Sequence, residues 1–262
     1  MSAAVATTRD PAAALALPRP SLARLTYVEL RKMTDTRAGF WLLLVIVLGT
    51  AAAALIRMLV GDVSERTLLQ AFSVAQFPGA VLLPVLAILA VTSEWSQRTA
   101  LTTFALVTQR WRVVAAKLLA VVALSAIAVV LCLAFAAVAN AIGGVASEAD
   151  GSWSLPVSAI GEAFVLQLVG MVGGAAFGMV FLASAPAIVL YFALPTVWGI
   201  LTEIISALDE PARWLDLGST TTPLSEFEMT GTDWARLGTS VLLWVGLPLA
   251  IGLVRIVRRE IS

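Results

Sequence analysis

Between Ala163 and Thr202 the chain reads AFVLQLVGMVGGAAFGMVFLASAPAIVLYFALPTVWGILT, forty residues without a single Asp, Glu, Lys or Arg. As one α-helix this stretch would be about 60 Å long. The hydrocarbon core of a bilayer is roughly 30 Å thick and takes about 20 apolar residues to cross. The segment therefore has to turn. Ser184-Ala185-Pro186 is the expected place, because proline ends a helix and small residues permit a tight connection. That divides the run into spans of about 163–184 and 185–205.

Four more stretches have the same character, at about 40–56, 72–92, 118–142 and 237–254. The whole 262-residue chain is 60% hydrophobic and 13% charged, with a mean hydropathy of +0.94. Soluble domains run at roughly 45–50% apolar and about 25% charged. The fold class expected is thus an all-α integral membrane protein with six transmembrane helices. The chain has no histidine, which excludes histidine-based catalysis and His-containing metal sites. Its one cysteine, Cys132, cannot form an internal disulfide or a thiolate cluster. Seventeen basic residues balance seventeen acidic ones, so nothing points to nucleic acid as a partner.

Six spans put thirteen of the seventeen basic residues on one face. These lie ahead of the first span, between the second and third, and after the sixth. The positive-inside rule makes that face, with both termini, cytoplasmic. Trp41, Trp95 and Trp111 flank the cytoplasmic ends of spans, while Trp153, Trp214 and Trp234 flank the opposite ends, as indole rings at headgroup level do. Residues 1–20 carry three prolines and only a six-residue apolar run, Ala12–Leu17. They read as a disordered cytoplasmic tail without a secretory signal, and residues 21–262 form the six-span domain. Arginine outnumbers lysine fifteen to two and alanine is abundant, which points to a GC-rich bacterial genome and a plasma (inner) membrane location.

Two cytoplasmic segments are candidates for function. In Ser21–Thr36 a helix would align Leu22, Thr26, Leu30 and Met33, with Arg24 and Arg31 opposite and Val28 and Glu29 blurring the pattern. Such a helix either lies in the headgroup plane facing anionic lipid or is a plain juxtamembrane helix. The loop Glu94–Lys117 is too polar to span. Its middle, Thr99–Val107, suits a short helix with Leu101, Phe104 and Ala105 on one side, bracketed by Glu94-Trp95 and Arg110-Trp111-Arg112. It reads as a docking surface for a cytoplasmic partner, or as a basic loop that only sets topology.

These segments carry a family resemblance. Leu25–Lys32 (LTYVELRK) precedes Thr36–Trp41 (TRAGFW), Ser93–Thr99 (SEWSQRT) follows span two, and Gln109–Arg112 (QRWR) with Ala116–Ala120 (AKLLA) leads into span three. The arrangement resembles the permease subunits of ABC-2-type ABC exporters. The resemblance implies an N-terminal amphipathic elbow helix, with Glu29, Arg31 and Lys32 on it. It implies a cytoplasmic coupling helix that contacts an ABC ATPase, assigned to Glu94, Trp95, Arg98, Thr99, Phe104, Arg110, Trp111 and Arg112. It also implies an outer re-entrant hairpin between spans five and six. The chain has no Gly-Lys-Ser/Thr loop for phosphate, since Lys32 follows Arg31 and Lys117 follows Ala116. It is accordingly not expected to be an enzyme or to hold a cofactor, with ATP and Mg bound by a separate ATPase subunit.

Within the membrane, Gly170, Gly174 and Gly178 make a small-residue face in span four that admits another helix, from the same chain or across a dimer. Pro84, Pro195 and Pro248 fall inside spans two, five and six. Arg57 and Glu203 are outer-side charge candidates: Glu203 is either a functional intramembrane group or the salt-bridge partner of Arg57. The segment Ala207–Trp234 has a helix start at Asp209-Glu210-Pro211 and is either the hairpin or a simple acidic loop.

The expectation is the permease subunit of an ATP-driven exporter of an amphipathic drug, lipid or peptide, working by alternating access. Its partners would be ATPase subunits, a second permease chain (homodimer or related chain) and the lipid bilayer. An ion-coupled secondary transporter is the alternative, though spans one to three and four to six show no internal likeness. An integral-membrane enzyme ranks below it.

Overall fold

A computed structural model describes residues 20–60, 66–96, 110–146 and 152–258. The tail 1–19 and the segment 97–109, which contains Arg98, Thr99 and Phe104, lie outside the described residues. Among those described, all regular structure is helical. After α1 (Leu22–Asp35) come α2 (Arg37–Val60), α3 (Leu68–Ser96), α4 (Arg110–Ala146), α5 (Val157–Phe181) and α6 (Ser184–Ile204). Two short helices, α7 (Asp209–Leu215) and α8 (Leu217–Glu226), lead to α9 (Gly231–Val241), which continues through a π turn at Leu242–Gly246 into α10 (Leu247–Arg258). Helices α2 to α6, and α9–α10 taken together, are long and apolar enough to cross a membrane. The chain is an all-α, multi-pass membrane protein.

Helices α3 and α5 are the centre of the bundle. Half of the apolar window of each is buried, against 11% for α6. Helix α6 instead exposes Val189, Phe192, Val197 and Ile204 on its outer side, a surface suited to lipid. One apolar cluster, with Met33, Leu86, Val114, Met179 and Ile256, fills the half of the bundle next to α1. Another, with Met58, Phe72, Cys132, Ala136 and Ala163, fills the half nearer α8. These two ends are called the α1 end and the α8 end below.

The turn in the uncharged run falls earlier than Ser184-Ala185-Pro186. Helix α5 stops at Leu182, whose φ of 54° is left-handed, and Ala183 is extended. A left-handed cap usually takes glycine; here the Leu182 side chain is buried in the core, and that burial holds the unusual backbone. Pro186 sits in the first turn of α6, where its missing N–H costs nothing. It starts the next span and does not end the previous one.

The last span also differs from its expected 237–254. It begins at Gly231 behind a capping box formed by Thr230 and Asp233. The π turn ends two residues before Pro248, which cannot donate to the helix ladder. The segment after α6 is helical and not an extended acidic loop. Asp216 accepts from the N–H groups of Gly218 and Ser219 to cap α8, and α8 packs on α5 and α9.

Candidate functional site

The α1–α2 joint is short because its residues are chosen for it. Ser21 Oγ accepts from the Arg24 N–H to start α1. Thr36 is extended and ends it, and its Oγ1 accepts from the Gly39 N–H to start α2. A Cβ on Gly39 would collide with the Met33 carbonyl, so glycine is required where the two helices meet. The joint folds α1 back against α4 and α3.

The face that α1 turns inward holds Leu22, Leu25, Thr26, Glu29, Leu30 and Met33, with Glu29 and Met33 fully buried. Glu29 therefore does not blur the helix pattern. It lies on the same stripe, one turn from Leu25 and one turn from Met33. A carboxylate there needs partners, and it has two. Lys117 Nζ of α4 lies 2.6 Å from Glu29 Oε2, and Lys32 Nζ lies 2.7 Å from Glu29 Oε1. Both ammonium groups also reach Glu94 Oε1 of α3, Lys32 at 2.7 Å and Lys117 at 3.1 Å. Lys117 donates further to the Ala90 carbonyl at 3.1 Å.

This is a four-membered ring of two carboxylates and two ammonium groups with no net charge. Glu29, Glu94 and Lys117 are 5–6% exposed, and the Lys32 side chain is 40% exposed. Burying a charge is costly unless it is paired and hydrogen-bonded. Lysine suits the ring because its compact ammonium carries three donors on a flexible stem. The only two lysines of the chain are the two in the ring. Burial alone would lower the Lys32 pKa, but its hydrogen bonds to Glu29 and Glu94 outweigh that, and the net shift is upward. A raised lysine contributes fully below its unfolded value of about 10.4 and loses that contribution only as pH rises through its folded value. Its part of the ring is therefore constant across neutral pH.

The ring joins α1 to the end of α3 and the beginning of α4, the two helix ends that flank residues 97–109. Arg112 strengthens the same junction, donating to the Pro20 carbonyl at 2.6 Å. Thr92, two residues before Glu94, meets Ser184 Oγ at 2.7 Å and brings in the start of α6. Trp95 packs against the core, while Trp111 is 61% exposed beside the junction. Arg31 points away and pairs with Asp35 at 2.7 Å on the exposed side of α1. Arg110 opens α4, and its side chain lies outside the described residues.

The remaining candidates are elsewhere. Gly170, Gly174 and Gly178 face α3, at Pro84, Ile88 and Val91. Glu203 is exposed near the end of α6, Arg57 is half-buried in α2, and no ion pair between them is found among the described residues. Sequence reasoning had placed Lys117 in a basic loop and missed its burial. The signal was its rarity: two lysines against fifteen arginines. It also passed over a buried amide pair. Gln167 Nε2 donates to the Gln76 carbonyl at 3.1 Å and to Gln76 Oε1 at 2.9 Å, tying α5 to α3.

The sequence matches no protein-family model and no curated protein.

Proposed function

We propose that the chain is the permease subunit of an ATP-driven ABC exporter, with both termini in the cytoplasm of a bacterial cell and with α7 and α8 as its outer hairpin. The observation that carries this reading is the ionic ring. It binds α1 to the end of α3 and the beginning of α4, the helix ends between which residues 97–109 run in sequence, so in this reading a push on that segment moves three helices together. In this reading 97–109 is the coupling segment, and a separate ATPase subunit binds ATP and Mg. A second permease chain completes the pathway for an amphipathic substrate. ATP drives the change of state only through a difference in affinity of the two states for the ATP-loaded ATPase.

A tagged full chain, purified from its own cells, is expected to bring down a P-loop ATPase in about equal amount. Replacing residues 98–109 with a Gly/Ser linker of equal length is expected to cut that recovery at least tenfold while the permease still inserts. Recovery unchanged by the linker removes the coupling assignment.

Orientation is checked separately. Cys132 is buried, so cysteines introduced by Thr34→Cys on α1 and Ser219→Cys on α8 report alone. A membrane-impermeant maleimide added to intact spheroplasts is expected to label the Ser219→Cys protein and to spare the Thr34→Cys protein until the cells are lysed. The opposite pattern inverts the topology.

A further inference from the structure

Two arginines converge on one cleft at the α8 end. Arg213 of α7 and Arg236 of α9 line it together with Ser219 and Pro223 of α8 and Asp233 of α9, and its volume is about 170 Å³. Sites for drug-sized molecules begin at roughly 300 Å³, so this one suits a small polar group. Its walls are tied to one another. Thr239 Oγ1 donates to the Trp214 carbonyl and Trp244 Nε1 to the Leu215 carbonyl, both at 2.7 Å, which holds α7 to the sixth span. Thr220 and Ser240 share a hydroxyl hydrogen bond at 2.6 Å, which holds α8 to α9.

Neither guanidinium donates a hydrogen bond among the described residues. Arg213 Nη1 lies 3.7 Å from Glu210 Oε1, and Arg236 Nη1 lies 3.6 Å from Asp233 Oδ1, both beyond hydrogen-bond reach. Asp233 is committed elsewhere, since its Oδ2 accepts from the Thr230 N–H and hydroxyl. Glu210 is 82% exposed, so water screens its hold on Arg213. Arg236 is steadied by the Trp214 ring, whose centroid is 6.0 Å from the guanidinium carbon. Its Nε is buried without a partner, which is costly. An anion need not touch that atom to offset the cost, because the charge is delocalised over the whole guanidinium.

The depth of the cleft in the bundle points to the anion. Asp233 and Arg236 lie in the first two turns of the sixth span, and Trp214 and Trp234 beside them are 40% and 43% exposed. Indole rings at span ends mark the headgroup layer, where the oxyanions are lipid phosphates. We propose that this cleft binds a phosphate group, with Arg213 and Arg236 as its charged donors. Guanidinium matches phosphate geometry with paired N–H bonds. Against Asp233 the two arginines leave one positive charge over, so a phosphodiester fits and a polyphosphate does not. The site lies within one chain and involves neither residues 97–109 nor an ATPase, so failure of the coupling test above leaves it standing.

The test is native mass spectrometry of the full chain, stripped of lipid in a maltoside detergent and titrated with phosphatidylglycerol, a diester with one negative charge. Diacylglycerol with the same acyl chains, which lacks the phosphate, is the control. The first phosphatidylglycerol is expected to bind at least about tenfold more tightly than the first diacylglycerol, the worth of hydrogen bonds to a charged group. Arg236→Gln is expected to remove that preference. Because Arg236 also lies over Trp214, Arg213→Gln is the second variant, at an exposed position, and is expected to weaken phosphatidylglycerol severalfold while leaving diacylglycerol unchanged. Glu210→Gln frees Arg213 and is expected to tighten phosphatidylglycerol by about two- to fivefold, the range of an exposed ion pair. An arginine with only a structural role would give no such gain. Inorganic phosphate in excess distinguishes the source of the ligand. Displacement of the lipid supports the site with free phosphate as an occupant, and retention supports it with the headgroup alone. Equal affinity for the two lipids, or phosphatidylglycerol binding unchanged by both arginine variants, overturns the proposal.

Discussion

Replacing Lys117 with methionine is expected to destabilise the folded chain by about 3–5 kcal/mol, the usual cost of breaking a buried ion pair from one side. Lys117 lies 2.6 Å from Glu29 and 3.1 Å from Glu94 and is almost fully buried. Without it, two buried carboxylates share the single ammonium of Lys32, and the site carries a net negative charge. Methionine keeps much of the side-chain volume, so the loss is one of charge and hydrogen bonds and not of packing. The combination of Lys117→Met with Glu29→Gln restores electrical balance, leaving Glu94 with Lys32. It is expected to be less damaging than the sum of the two single changes by about 0.5–3 kcal/mol. Unfolding midpoints in mixed micelles, with helicity as the readout, measure all four corners of this cycle. A Lys117→Met protein within about 1 kcal/mol of the original would show that the ring is not the clamp described above.

The second large effect is expected at Gly174. A Cβ there would overlap the Pro84 carbonyl oxygen and lie 2.9 Å from the Pro84 carbonyl carbon and Cα. These are backbone atoms, so no side-chain rotation makes room, and α3 must move away from α5. Gly174→Ala is expected to cost about 1–3 kcal/mol or more. Gly170 and Gly178 are less tight: a Cβ would stand 3.2 Å from Pro84 Cγ at the first and 3.1 Å from Val91 Cβ at the second. Their alanine variants are expected to fall between Gly174→Ala and Gly161→Ala. Nothing lies within 4 Å of a Cβ at Gly161, an exposed position of the same helix. Gly161→Ala is expected to stabilise by roughly 0.4–1 kcal/mol, through the lower entropy of the unfolded chain. The same unfolding assay ranks the four variants, and a Gly174→Ala protein as stable as the Gly161→Ala one would remove the close approach as the reason for the glycines.

Pro84 explains why the approach is so close. Lacking an N–H, it leaves the Ala80 carbonyl without its usual helical donor, and Gly170 comes within 3.8 Å of that carbonyl oxygen, counted from its would-be Cβ. The proline in one span and the glycines in another are thus a single packing device. Sequence reasoning noticed both and joined neither, since spacing along one helix says nothing about which neighbour it meets.

The six spans were legible because length and hydropathy are properties of each segment alone, and a bilayer imposes both. The Thr36–Gly39 joint was legible as a pattern, and the close approach to the Met33 carbonyl supplies its reason. Glu29 was misjudged for a definite cause. On a helix read in isolation, a glutamate on the apolar stripe looks like noise, because the partner that buries with it, Lys117, lies 88 residues further along the chain. The turn at Leu182 was missed for a related one. Proline is a strong local signal for a break, but it is equally at home in a first turn, and burial of the Leu182 side chain, a tertiary effect, decided where α5 stops.

The length of α4 gives the ionic ring a mechanical meaning. The helix has 37 residues and is about 55 Å long, nearly twice the hydrocarbon thickness. Lys117 fixes it close to one extremity, with roughly 44 Å of rod beyond. For a stiff rod held there, a rotation of only about 5° displaces Ala146 by roughly 4 Å. Under the proposed permease function the anchorage would be a fulcrum with a long arm, and a small angular change at Lys117 would become a sideways stroke of about that size at the far end of the helix.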